Sequence, residues 1–223
     1  MSVHLPKAPP INECELLLRC QQIEGISFAQ LAQLVQLAIP KESTKRKGWA
    51  GLAIEAILGA TAGTKALPDF NHLGIELKTI PFNAWGKPAE STFITTIPLL
   101  HVHQQNWYSS ECYKKLKRIL WIPVEGLRDI PFEARRIGQA YLWSPTASEE
   151  AILKQDWLEL TTMIGMGRLE EIDATMGQYL QVRPKAANAQ SLCYGFNSEG
   201  SKILTLPRGF YLRRHFTESL FAK

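Results

Sequence analysis

The sequence predicts a mixed α/β fold of the α+β kind, with helices gathered near the N-terminus and strands in the middle and at the end. Apolar residues recur at helical spacing over residues 11–23 and 28–38, whereas apolar and polar residues alternate as in a strand over residues 74–81. Hydrophobic residues make up 45% of the 223-residue chain, which is enough for a core. One domain, or two closely packed lobes, is therefore expected.

Three helices are predicted in the first part of the chain. The first spans residues 11–23, and Ser27 is expected to N-cap a second helix that Pro40 ends. The third spans residues 48–59 and carries Glu55, a lone charge among apolar and small residues. An unpaired buried carboxylate is costly, so Glu55 either faces solvent or binds a cation, and periodicity does not decide which.

The strands are predicted to follow, with one acidic helix among them at residues 148–163. We predict a single domain over residues 1–223, in which a central mixed sheet is flanked by helices, and a loose, proline-rich leader over residues 1–10. The strands are predicted at residues 74–81, 93–98, 116–124, 139–143, 179–183 and 208–213.

The composition favours a cytoplasmic protein with no membrane partner. No apolar run approaches the roughly 18–20 residues of a membrane span, and the first ten residues lack an apolar signal stretch. The four cysteines and five histidines show no zinc-binding spacing, so reduced thiols are expected.

Two basic clusters, at residues 45–47 and 114–118, could follow a phosphate backbone. Lys115 of the second cluster is accordingly a candidate DNA contact. The net charge is only +4, and charge alone favours ordinary solvated faces over a nucleic-acid site.

The residues that indicate chemistry are Asp69, Glu76 and Lys78. Side chains two apart on a strand share a face, so Glu76 and Lys78 point together, and Asp69 can fold back beside them from the preceding turn. Mg²⁺ binds one or two carboxylates together with phosphate and water, and a neighbouring lysine can hold both water and phosphate. The set therefore predicts a metal-dependent phosphodiesterase centre. The motif alone is short, and an exposed surface pair is the commoner explanation of such a Glu-x-Lys.

The wider sequence resembles the MutH family of DNA mismatch repair endonucleases, which carries the PD-(D/E)xK nuclease motif. The resemblance runs in order through nearly the whole chain and is far more specific than the catalytic triplet. It rests on residues 47–49, Glu55, Asp69 and residues 74–81, 120–126, 142–145, 183–188 and 204–211.

The resemblance implies a restriction-endonuclease-like fold whose two lobes form a DNA cleft. It implies a monomer that nicks the unmethylated strand of hemimethylated or unmethylated double-stranded DNA, 5′ to the G of GATC sites. The implied cofactor is Mg²⁺, with Mn²⁺ or Ca²⁺ as alternative occupants of the site. The implied partners are MutL as activator and MutS acting through MutL.

The resemblance also implies roles for individual residues. Arg183 would recognise guanine, and Tyr211 would lie near the adenine that carries the methyl mark. Without the resemblance, strand-core packing of Phe93 and Tyr211 and nonspecific phosphate contacts of Arg183 and Lys185 are the simpler explanations. The implied catalytic residues are Glu55, Asp69, Glu76 and Lys78, with Asp69 and Glu76 as metal ligands, and the implied DNA-binding residues are Lys47, Gly48, Phe93, Lys115, Arg183, Pro184, Lys185 and Tyr211.

Two other functions stay open on the sequence. A restriction enzyme of the same fold would cut GATC on both strands and would need to act as a dimer. A non-catalytic DNA-binding module would have no use for clustered carboxylates near phosphates.

Overall fold

The computed structural model describes residues 8–63, 67–186, 188 and 190–222, with the side chain of Lys47 excepted. The chain divides into two compact units. Unit 1 comprises Met1–Ala89 and Lys117–Ser144, and unit 2 comprises Glu90–Leu116 and Pro145–Lys223. The predicted mixture of helices and strands is confirmed. The helices are α1 (Glu13–Ile23), α2 (Phe28–Val35), α3 (Ser43–Leu58), α4 (Glu111–Leu116), α5 (Ala147–Gly165) and α6 (Arg214–Leu220), and the strands are β1 (Glu76–Phe82), β2 (Thr92–Thr96), β3 (Ile119–Glu125), β4 (Tyr141–Trp143), β5 (Leu180–Pro184), β6 (Cys193–Phe196), β7 (Lys202–Thr205) and β8 (Arg208–Leu212).

Helices α1 and α2 begin at the side-chain N-caps Asn12 and Ser27, whereas α3 has no side-chain cap, and two of the predicted helix bounds are wrong. Ser27 and Gln30 form the predicted capping box of α2. That helix ends at Val35 rather than at Pro40, because Gln36 adopts a left-handed conformation and caps the last carbonyls. Helix α3 starts at Ser43, five residues before the predicted start, because its polar first turns contain good helix formers that an apolar pattern does not reveal.

The sheet of unit 1 is mixed. Strand β1 pairs with β3 in parallel, and β3 pairs with β4 antiparallel, in the order β1-β3-β4. One face of this sheet packs on α1, α2 and α3 to form the core. Buried members of this core are Leu16, Ile23, Phe28, Leu31, Ile54, Leu58, Ile75, Leu77, Leu120 and Ile122.

Unit 2 contains an antiparallel sheet of order β2-β8-β5 and a separate β6-β7 ribbon. Along β5 and β8, Leu180, Val182, Phe210 and Leu212 alternate inward and are buried. The opposite face of these strands carries polar and aromatic side chains, among them Tyr211. This alternation separates a core face from a face available for other contacts.

Part of the predicted leader is anchored to unit 1. Pro10 is buried, its carbonyl contacts His72 Nε2 at 2.6 Å, and the Ala8 carbonyl accepts a hydrogen bond from Arg19. Residues 1–7 of that prediction lie outside the described residues. In the part of the chain that the structure describes, no helix is long and apolar enough to cross a membrane. All four cysteines are free thiols.

Replacement of the buried Arg19 by Met is expected to lower the free energy of unfolding by about 2–4 kcal/mol. Arg19 is 2% exposed and donates to the carbonyls of Ala8 (2.7 Å) and Leu58 (3.1 Å), besides pairing with Glu15. Without it both carbonyls lose this donor, and the hydrogen bond to the Leu58 carbonyl is buried. Urea denaturation of the full chain measures the change. Lys45→Met, at an exposed lysine of α3, is the matched control and should leave the transition unchanged; equal curves for the two variants would contradict the prediction.

Candidate active site

A tight turn places Asp69 against β1. Phe70 and Ile75 form an antiparallel bridge, and Gly74, with φ of 67°, closes the turn between them. Asp69 precedes the bridge, and its Oδ2 accepts a hydrogen bond from the Leu77 N–H at 2.8 Å. The carboxylate is therefore fixed beside the strand that carries Glu76 and Lys78.

Glu76 and Lys78 form an ion pair on one face of β1. The Lys78 Nζ donates to Glu76 Oε1 at 2.7 Å, and the two side chains are 15% and 2% exposed. Because this pair is largely removed from solvent, it does not match the exposed surface pair that the motif alone suggested. The structure thus brings Asp69, Glu76 and Lys78 together within one strand and its preceding turn.

Glu55 lies on α3, which packs against β1, and its side chain is half-buried. Its Oε1 and the Thr79 Oγ1 are 3.8 Å and 3.7 Å from the position that a Cβ on Gly51 would occupy. Both atoms therefore lie close to Gly51, which brings α3 near β1 at Thr79. The Glu55 side chain is partly exposed and also interacts with other groups of the protein.

Asp69 and Glu76 are the two carboxylates that the sequence predicts as ligands of a divalent cation. Within residues 8–63, 67–186, 188 and 190–222, no group of three or more His, Cys, Asp or Glu side chains is close enough to hold a metal ion. Asp69 and Glu76 offer two carboxylates, which matches the one or two that Mg²⁺ uses when substrate phosphate and water complete its shell.

The exposed face of the β2-β8-β5 sheet, in unit 2, brings together four predicted DNA-binding residues. Phe93 and Tyr211 are directly opposed on β2 and β8, with ring centroids 5.3 Å apart. Lys185 Nζ lies 4.4 Å from the Phe93 centroid, and Arg183 Cζ lies 6.0 Å from the Tyr211 centroid. Both cations are exposed and both rings are half-buried, so Phe93 and Tyr211 are not core residues.

The Tyr211 hydroxyl stays protonated in neutral solution. Partial burial raises its pKa above the ordinary value, Arg183 opposes this, and Glu90 adds to it. A neutral phenol can both donate and accept a hydrogen bond, which suits it to a contact with a base or a phosphate.

The remaining predicted DNA-binding residues are more scattered. Gly48 is exposed on α3 in unit 1, and a Cβ there would meet nothing within 4 Å. Pro184 is exposed at the end of β5, and Lys115 is half-buried on α4. The side chain of Lys47 lies outside the described part of the structure.

Two residues that contact the side chains of this face, Gln181 and Gly209, were not predicted from the sequence. Gln181 is buried opposite Tyr211 and donates to Ser91 Oγ at 2.9 Å. Gly209, on β8, lies under the Phe93 ring. A glycine inside a strand often marks such a close approach, and this was the signal available in the sequence.

An α+β fold in which one strand carries Glu-x-Lys beside a preceding Pro-Asp turn defines the restriction-endonuclease-like class. A family model described as DNA mismatch repair enzyme MutH matches residues 58–156. The chain is 51% identical to the DNA mismatch repair protein MutH of Serratia proteamaculans over 215 residues, which cover 96% of this chain and 94% of that protein. Identity is 50% with the MutH of Pasteurella multocida (95% of each chain) and 48% with that of Escherichia coli K12 (97% and 94%). The chain belongs to the MutH family of DNA mismatch repair enzymes.

Proposed function

We propose that this protein is a methylation-directed endonuclease that nicks the unmethylated strand of GATC sites, 5′ to the G, with Mg²⁺. The observation that carries the proposal is the Asp69–Glu76–Lys78 arrangement, a buried ion pair with a second carboxylate fixed beside it. The identity with MutH proteins over nearly the full chain supports the same activity.

Asp69 and Glu76 would hold the Mg²⁺ ion, which supplies charge stabilisation at the phosphate and a more acidic bound water. The Leu77 N–H orients Asp69 by its hydrogen bond to Oδ2. Lys78 is held at Glu76 Oε1, from where its ammonium can hold the attacking water beside the scissile phosphate. Glu55, whose carboxylate lies close to Gly51 on α3, is proposed to assist from that helix.

Recognition is proposed to lie on the exposed face of β2-β8-β5. Arg183 can donate two hydrogen bonds to O6 and N7 of guanine in the major groove. Tyr211 is proposed to contact the adenine, where an N6-methyl group adds bulk and removes one hydrogen. We also propose DNA contacts for Lys47 and Gly48 on α3 and for Lys115 on α4.

We further propose that the protein acts in the cytoplasm as a monomer that MutL activates, with MutS acting through MutL. The names of the relatives, which are DNA mismatch repair proteins, support a place in that process. A monomer suits an enzyme whose single centre cuts one strand.

The deciding experiment compares three Mg²⁺-containing reactions, on duplexes whose GATC site is unmethylated, hemimethylated or fully methylated. Nicking confined to unmethylated strands supports the proposal. Coupled cutting of both strands would favour the restriction enzyme, and binding without any cutting would favour the non-catalytic module. Equal cutting of methylated and unmethylated strands would refute the proposed preference for the unmethylated strand.

Tyr211→Ala is expected to reduce the preference for unmethylated over methylated strands by about tenfold, more than it lowers nicking of unmethylated DNA. The reason is that the ring would no longer detect the methyl group. Initial nicking rates on the two substrates give the ratio. Tyr194→Ala, at an exposed tyrosine of the β6-β7 ribbon, is the control. Equal loss of rate on both substrates would show that Tyr211 serves the chemistry or the fold instead.

A further inference from the structure

Gly209 lies where a side chain would collide with a predicted DNA-binding residue. It is the cross-strand neighbour of Arg183 on β5. A Cβ on Gly209 would stand 2.7 Å from Phe93 Cε2 and 3.2 Å from both Phe93 Cδ2 and the Thr95 carbonyl oxygen. The first distance is shorter than real Cβ contacts, so the Phe93 ring occupies the space that a side chain would fill. Gly209 has no left-handed φ, so it is space rather than conformation that requires the glycine.

The Phe93 ring is also held on its other sides. The edge-to-face contact with Tyr211 fixes one side, at 5.3 Å between centroids, and the Lys185 ammonium lies over the ring at 4.4 Å. Cations are attracted to the negative face of an aromatic ring at this distance. The contacts therefore link Arg183 to Tyr211, Tyr211 to Phe93 and Phe93 to Lys185, with Gly209 under the Phe93 ring.

We infer that Gly209 is a positioning residue for sequence recognition. Because Gly209 has no side chain, the Phe93 ring can pack directly on the backbone of β8, in a position that we call the Phe93 seat. From there the ring contacts the Lys185 ammonium and the Tyr211 ring. This inference rests on the proposed function. A methyl group at residue 209 must push the ring outward, since the Thr95 carbonyl blocks retreat of the backbone and Phe93 is half-buried rather than enclosed. Hydrogen bonds to base edges depend on sub-ångström placement of their donors, and an outward shift of the Phe93 ring would displace Tyr211, the proposed adenine contact, together with the predicted DNA-binding residue Lys185.

The packing of Phe93 on Gly209, and its contact with Lys185, can be tested without DNA. In the full-length wild-type protein, the ring current of Phe93 should shift the ε-CH2 proton resonances of Lys185 upfield. In Gly209→Ala and in Phe93→Ala these resonances should return to the values of an exposed lysine. An unchanged upfield shift in Gly209→Ala would overturn the inference.

The contribution of this packing to sequence recognition is tested by a double-mutant cycle in which nicking rates are measured. The measured quantity is the ratio of initial rates on a GATC duplex and on a duplex with one base pair of the site changed. Gly209→Ala and Phe93→Ala should each lower this ratio about tenfold, and the double variant should equal Phe93→Ala alone, because the clash has gone. A double variant lowered by the product, about a hundredfold, would mean that Gly209 acts independently of Phe93 and would overturn the inference.

Two controls keep the outcomes separate. Gly195→Ala, another strand glycine of unit 2, should leave the ratio unchanged, which excludes a general effect of glycine replacement. If Gly209→Ala does not fold, the double variant supplies the test. In that case, a folded double variant with the same rate ratio as Phe93→Ala supports the packing of Phe93 on Gly209, and an unfolded double variant overturns it. A wild-type protein without any GATC preference would refute the proposed function and with it the recognition role, while the lysine resonances would still decide the seat.

Discussion

Glu76→Gln is expected to lower the nicking rate by on the order of 10³-fold while leaving the affinity for duplex DNA nearly unchanged. Glu76 is buried, and its Oε1 accepts the hydrogen bond that holds Lys78. The amide keeps the volume of the side chain but removes the charge that a metal ion and the Lys78 ammonium both require. Single-turnover nicking and equilibrium binding, measured on the same GATC duplex, separate the two effects.

Glu125→Gln is the matched control, because Glu125 lies on β3 of the same sheet and its Oε2 accepts the Arg136 N–H. Its nicking rate should equal that of the wild type. A Glu76→Gln protein that still nicks at near wild-type rate would remove Glu76 from the proposed centre. If binding and the unfolding temperature fall together, the buried pair with Lys78 serves folding instead.

Asp156→Ala is expected to lower the free energy of unfolding by about 3–5 kcal/mol, because it leaves three backbone donors without their acceptor. Asp156 is a buried carboxylate on α5, 4% exposed, that accepts the N–H groups of Gln178 (2.7 Å), Tyr179 (2.6 Å) and Leu180 (2.8 Å). These residues lead into β5, the strand that carries Arg183. Guanidinium denaturation of the full chain measures the loss.

Asp156→Asn should recover part of that stability, since one amide oxygen still accepts, and Asp173→Ala should change little. Asp173 is an exposed acid that accepts hydrogen bonds from the Thr175 N–H and Oγ1 within its own turn. An Asp156→Ala protein as stable as the Asp173 variant would mean that the start of β5 does not depend on these hydrogen bonds.

The parts of the fold that were predictable from sequence are those that local patterns specify. The capping box at Ser27 and the alternation along β1 are both local, and they led directly to the strand that carries Glu76 and Lys78. The turn that returns Asp69 to β1 spans only six residues, so its position also followed from neighbouring sequence. The geometry around Glu55 could not be predicted from the neighbouring sequence, because it depends on how α3 packs against β1.

The elements that were missed are short or depend on distant pairing. Helices α4 and α6 contain six and seven residues, too few for a clear period, and β6 and β7 contain four each. The pairing of Phe93 with Tyr211 joins positions far apart in the chain, and no local signal gives its register. For this reason the assembly of Phe93 on Gly209 emerged only from the three-dimensional structure.

The division into two compact units has a consequence for how this kind of enzyme can be diversified. The proposed hydrolytic residues, Asp69, Glu76 and Lys78, all belong to unit 1, whereas Arg183, Lys185 and Tyr211 belong to unit 2. Libraries that vary β2, β5 and β8 therefore leave both proposed metal ligands, Asp69 and Glu76, unchanged. Directed evolution of a new cleavage preference can therefore begin with these three strands.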